Sequence, residues 1–192
     1  MNKVKFNKAK NSQKNKTITR TFRINVQWDK ILIEEAEKQG ISASSLLNKI
    51  LKKFSLYSRW TQHINSINLS KHMMRKILNL VQIESLAEEG SKSGTLDPIN
   101  IMNIIGLAND YDSFVYLITE YFGGPYFASW FSCFHHKEEN KDIFHLQHDL
   151  GYGWSVYLEK YFQSFLKSIL DADAKSRIYE YAVTFEVTTK AK

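Results

Sequence analysis

Cysteine is almost missing from this 192-residue chain: Cys133 stands alone, so no intrachain disulfide can form. A single thiol fits a reducing cytoplasm, the compartment expected for this chain. Long apolar runs are missing too. No stretch approaches the roughly 18–20 residues that span a bilayer, and the charged N-terminus has no apolar core, so neither a membrane span nor a secretory signal is expected. Acidic residues are scarce at one end only. Residues 1–60 hold 14 Lys+Arg against 4 Asp+Glu, whereas residues 61–192 hold 12 against 16. The net charge of +6 therefore gathers in the first third and points to a polyanionic partner for that end. A solvated basic surface with no partner is the plain alternative.

The chain is 43% hydrophobic and 14% aromatic, enough for one sizeable domain or two small ones. Residues 1–16 carry six lysines and no acid, which reads as a disordered basic arm. Its Lys14 and Lys16 are candidates to lie along phosphates, adding affinity without sequence preference.

Thr19-Arg20-Thr21-Phe22-Arg23-Ile24-Asn25 follows. Alternation puts Phe22 and Ile24 on one side and Thr19, Thr21 and Arg23 on the other. So short a strand beside helices needs a second copy of itself to pair with. Two copies make a ribbon with an apolar underside, and a two-stranded ribbon fits the major groove of DNA. Asn25 then caps a helix over about residues 26–39 that presents Trp28, Ile31, Leu32 and Ala36. Gly40 supplies a left-handed C-cap, Ile41 an apolar plug, and Ser42 caps a second helix with Leu46, Leu47, Ile50, Leu51 and Phe54 on one stripe. Each element is too small to bury its stripe alone, so interlocking dimerisation is expected.

This order of strand, Asn25 cap, Glu35–Ser42 turn and Ser44-Ser45-Leu46-Leu47 resembles the ribbon-helix-helix family of repressors, over roughly residues 17–56. The resemblance implies a homodimer on double-stranded DNA. It implies base contacts from Thr19, Thr21 and Arg23, and phosphate clamping by the backbone amides of Ser42, Ala43 and Ser44. A helix N-terminus offers free N–H donors and a positive dipole end for that task. An alternating Thr/Arg strand can also be merely the wet side of an ordinary sheet.

The remainder reads as a helical neck over 57–96 and an α+β domain over 97–192: helices, β-hairpin, helix, strand. A helix is expected over 70–89, a loop over 88–94, and a second helix opened by Asp97-Pro98 that kinks near Gly106 and ends at Gly123-Gly124-Pro125. Strands over 126–136 and 143–148 form a hairpin. Gly151-Tyr152-Gly153 turns into a strongly amphipathic helix from Trp154 to Leu170, and a last strand holds Tyr179, Tyr181, Val183, Phe185 and Val187 on one face.

Pairing the hairpin symmetrically about Asn140 sets His135 opposite His145 and Cys133 opposite Gln147. Cys133, His135 and His145 would then share a face and could hold a metal. Nickel-responsive regulators that join a ribbon-helix-helix unit to a His/Cys-bearing sensor resemble this arrangement, although the chain departs from them in length and lacks their close run of ligands. Solvated histidines and an inert packed cysteine are the alternative, so no cofactor is required. Trp130, Phe131, Phe134, Phe144, Trp154, Tyr157 and Tyr161 could line a small-molecule pocket or simply fill a core. No nucleophile–base arrangement stands out, so enzyme activity is not expected.

These readings converge on a dimeric, sequence-specific DNA-binding regulator, a repressor in kind, whose C-terminal domain senses a small ligand or protein effector or sets oligomeric state. The competing reading is an antitoxin-like adaptor whose C-terminal part clamps a partner protein.

Overall fold

The structure is a computed structural model that describes residues 17–59, 69–124 and 129–188. The chain divides into two compact units, Met1–Arg59 and Trp60–Lys192. It is an α+β protein. Among the described residues, no helix is long and apolar enough to cross a membrane.

In the first unit, helix α1 spans Val26–Lys38 and helix α2 spans Ala43–Lys53, running on into a π-helical turn at Phe54–Ser58. The ends form where the caps dictate. The Asn25 side chain accepts from Gln27 N–H at 2.8 Å, and Ser42 Oγ accepts from Ser45 N–H at 3.1 Å. Gly40 takes φ +64°, a conformation that lets Ile41 N–H close onto the Ala36 carbonyl at 3.0 Å.

The second unit begins with α3 (Lys71–Leu78), capped by Ser70, and α4 (Ile83–Ile105). Asp110 caps α5 (Tyr111–Tyr116), which continues as a π-helical turn over Leu117–Phe122. Strands β1 (Ser132–Lys137) and β2 (Lys141–Gln147) lead to α6 (Tyr152–Leu170), followed by β3 (Ala174–Tyr179) and β4 (Ala182–Thr188). The strands form one antiparallel sheet in the order β1-β2-β4-β3. Helix α6 packs against β3 and β4, and α4 lies along α6.

Helix α4 overturns three expectations. The helix expected over 70–89 is broken at Asn79–Gln82, the loop expected over 88–94 is helical, and Pro98 sits inside α4 rather than opening a new helix. The position expected to separate a neck at 57–96 from a domain at 97–192 lies inside α4. The cause is packing. Leu86, Gly90, Gly94, Pro98 and Met102 recur every fourth residue on the buried face of α4. A Cβ on Gly90 would lie 2.6 Å from the Tyr157 carbonyl oxygen, and one on Gly94 2.1 Å from that of Tyr161. The glycines that look like a loop are where two helix backbones meet.

The last strand is likewise a hairpin. Tyr179 pairs with Ala182 around Glu180 and Tyr181, so only Val183, Phe185 and Val187 of the expected face point into the core. That core is aromatic. Phe162 meets Phe122, Tyr161 and Phe185 edge-on at 5.7, 5.2 and 6.0 Å, and Phe114 stands perpendicular to Phe144 at 5.7 Å.

Candidate nucleic-acid interface

Thr19, Thr21 and Arg23 are all exposed, in a stretch that forms neither helix nor strand within a single chain. Phe22 and Ile24 beside them are uncovered as well. At the start of α2, Ser42 and Ser44 are exposed and Ala43 half-buried. Ser42 Oγ satisfies Ser45 N–H, and Leu46 N–H returns to the Ser42 carbonyl. The N–H groups of Ala43 and Ser44 precede the first intrahelical bond and point outward along the helix axis. Lys14 and Lys16 lie outside the described residues.

Among the described residues of this unit, only Ala36 and Leu46 are buried. Trp28, Ile31, Ile33, Ile50, Leu51 and Phe54 remain exposed together with Phe22 and Ile24. A pair of helices that leaves this much apolar surface in water lacks the burial to hold itself folded.

The hairpin corrects the proposed metal constellation. Its register pairs His135 with Phe144, Cys133 with Leu146 and Phe134 with His145. The Glu138 N–H bond to the Lys141 carbonyl closes the turn between Glu139 and Asn140, one position from the symmetric guess. A one-residue slip exchanges the faces of a strand. Cys133 and His135 therefore share the face of Phe144 and Leu146, and His145 sits on the other with Phe134. Among the described residues, no three His, Cys, Asp or Glu side chains gather as a metal site. Burial, with Glu120 adding to it, pushes the Cys133 thiol up to about 12, so it stays protonated and poorly disposed to ligate.

His135 instead joins a cluster that sequence reasoning missed. Its Nε2 lies 2.9 Å from Oδ1 of the buried Asp142, while the Tyr111 hydroxyl donates to Oδ2 at 2.7 Å. The imidazole stacks flat on Phe144, with centroids 4.4 Å apart. Burial and the bond to Asp142 raise the Tyr111 hydroxyl well above its ordinary value, so it remains a donor. The three groups satisfy one another and tie α5 to β1 and β2. The available signal was an acid at an inward position of the alternation Asp142, Phe144, Leu146.

His148 and Ser155 are also buried, with Nε2 and Oγ 2.9 Å apart. A serine beside a histidine invites a nucleophilic reading, but the tautomer opposes it. Leu150 N–H donates to Nδ1 at 3.2 Å, so Nε2 carries the proton and donates to Ser155, leaving no base to activate the hydroxyl. Burial, aided by Lys71 and opposed by Asp149, drives the imidazole down to about 4 from 6.5. The unfolded chain then takes up a proton between these values that the folded one refuses. Stability is complete above about pH 6.5 and is lost as pH falls toward 4. Unfolding free energy of the second unit should drop by about 2 kcal/mol between pH 7 and pH 5. Urea titrations at both values check this, and His148→Gln should flatten the dependence.

The aromatic residues offered as a pocket are packed on one another. Trp154 stacks on Tyr157 at 4.9 Å, and Trp130 lies 5.5 Å from Trp154 and 5.3 Å from Tyr161. Phe134 is the exception, 60% exposed on the other side of the sheet.

No family model, curated protein or solved structure matches this chain. The functional reading therefore rests on the chain's own chemistry.

Proposed function

We propose that the chain is a sequence-specific DNA-binding transcriptional regulator of ribbon-helix-helix type, acting as a homodimer and, in the simplest case, repressing by occupying its site. The observation that carries this reading is the first unit's uncovered apolar surface, beside a segment whose outward side chains are Thr19, Thr21 and Arg23. A second copy covers Phe22 and Ile24 by pairing the two segments, and the ribbon so formed presents the threonines and arginines to base edges. The charge supports the same end of the molecule, with 14 Lys+Arg against 4 Asp+Glu in residues 1–60. The amides of Ala43 and Ser44 supply phosphate anchors that fix the ribbon's register on the duplex. The second unit acts as the effector-sensing or oligomerising part, and no catalytic step is assigned to it.

The test begins by selecting duplex sequences from a random pool with the purified chain and recording its mass in solution. A dimer at micromolar concentration with an enriched motif is expected. Arg23→Ala should then weaken the selected site by about 1–3 kcal/mol while scrambled duplex loses less. A monomeric chain, or equal losses on both duplexes, would overturn the reading.

A further inference from the structure

We propose that the second unit carries a separate nucleic-acid site: the outer face of its four-stranded sheet binds single-stranded nucleic acid. The inner face is filled by the helices, whereas the outer face carries a row that crosses all four strands. The pairings Phe134 with His145, His145 with Thr184 and Thr184 with Arg177 define that row. Residues 175, 177 and 179 alternate onto the same side of β3, which adds Lys175 and Tyr179. Lys175, Arg177 and Tyr179 are all exposed, and Tyr179 is 49% accessible. A shallow groove of about 370 Å³ runs over β3 and β4 beside Lys175, Arg177 and Thr184.

The carboxylates near this face are Glu186 and Glu138, and Lys141 meets both, at 3.8 and 3.3 Å. Among the described residues, neither Lys175 nor Arg177 has an ion-pair partner. The face thus offers Arg177 and Lys175, the latter in register with Glu186, along its β3 edge and an exposed aromatic ring at each edge, with the hydroxyl of Thr184 and the imidazole of His145 bonded at 2.9 Å between them. Three inter-strand steps of about 4.8 Å separate the edges by roughly 14 Å. That breadth exceeds the roughly 12 Å of a duplex major groove, so this surface does not enter a double helix. Its charged and hydroxyl groups are too many for the dry centre of a protein interface. Single strands match both features, because unpaired bases stack on aromatic side chains while their phosphates meet Lys and Arg.

The experiment uses the full chain with fluorescein-labelled 20-nucleotide single strands of mixed sequence, as RNA and as DNA, followed by anisotropy. Replacing both Phe134 and Tyr179 with alanine should lower single-strand affinity about ten-fold or more and leave duplex affinity unchanged. Lys175→Gln with Arg177→Gln should reduce the salt dependence on single strands only. Ultraviolet crosslinking of the wild-type complex should label peptides of β1 or β3. Unchanged single-strand affinity in both variants, parallel loss on duplex, or crosslinks confined to residues 1–59 would each overturn the proposal. Duplex binding is read in the same titrations, so a failure here is distinct from a failure of the first unit's function.

Discussion

Gly94→Ala will destabilise the second unit by about 3 kcal/mol or more, read as a lowered urea midpoint by tryptophan fluorescence. In an ordinary helix the same exchange stabilises by about 1 kcal/mol, because alanine loses less backbone entropy on folding. Here the added Cβ would stand 2.1 Å from the Tyr161 carbonyl oxygen and 2.7 Å from its Cα. Both are backbone atoms of α6, so no rotamer change relieves the overlap and α4 must move away. That separation uncovers the stripe of Leu86, Pro98 and Met102. Gly90→Ala, with its nearest atom at 2.6 Å, should show a smaller loss of the same sign. A gain of stability at either position would mean that α4 and α6 do not meet as described.

Phe162→Ala will cost about 3–5 kcal/mol and lower the melting temperature of the second unit by roughly 10–20 °C. Phe162 has no exposed surface and lies between rings of four different segments: Phe114 at 6.4 Å, Phe122 at 5.7 Å, Phe131 at 5.6 Å and Phe185 at 6.0 Å. Those neighbours belong to α5, the turn after it, the approach to β1, and β4, so no single element can shift to close the hole. Phe134→Ala provides the contrast. Its ring is on the open face of the sheet, and its loss should change stability by no more than about 0.5 kcal/mol. Thermal scans of both variants by circular dichroism separate the two cases.

What could be read from residue order was local chemistry. Asn25, Gly40 and Ser42 each act locally, and the helix boundaries in the first unit fall where the two capping side chains and the left-handed glycine place them. Helix α6 was equally plain, because its apolar spacing persists through Trp154, Leu158, Phe162 and Leu166, all buried. The errors arose where a distant segment decides. Gly90 and Gly94 have the look of a loop until Tyr157 and Tyr161 arrive against them. The β3–β4 turn passes through Glu180 and Tyr181, which carry no turn signal, so two strands read as one. The hairpin register was missed by one residue because Glu138-Glu139-Asn140-Lys141 does not announce its own centre. That slip changed the chemistry. It removed His145 from Cys133 and delivered His135 to Asp142, a partner that no spacing rule links to Tyr111, 31 residues away.

A helix pair that conceals only Ala36 and Leu46 has almost no cohesion of its own. In the proposed dimer, the second copy that covers Trp28, Ile50 and Phe54 would set the melting point of that end by mass action, so that this midpoint would sink on dilution. The aromatic unit after it fills its core from its own chain, so its midpoint should stay put unless that unit itself oligomerises. Diluting one sample should pull a single unfolding curve into two, the earlier one drifting and the later one fixed.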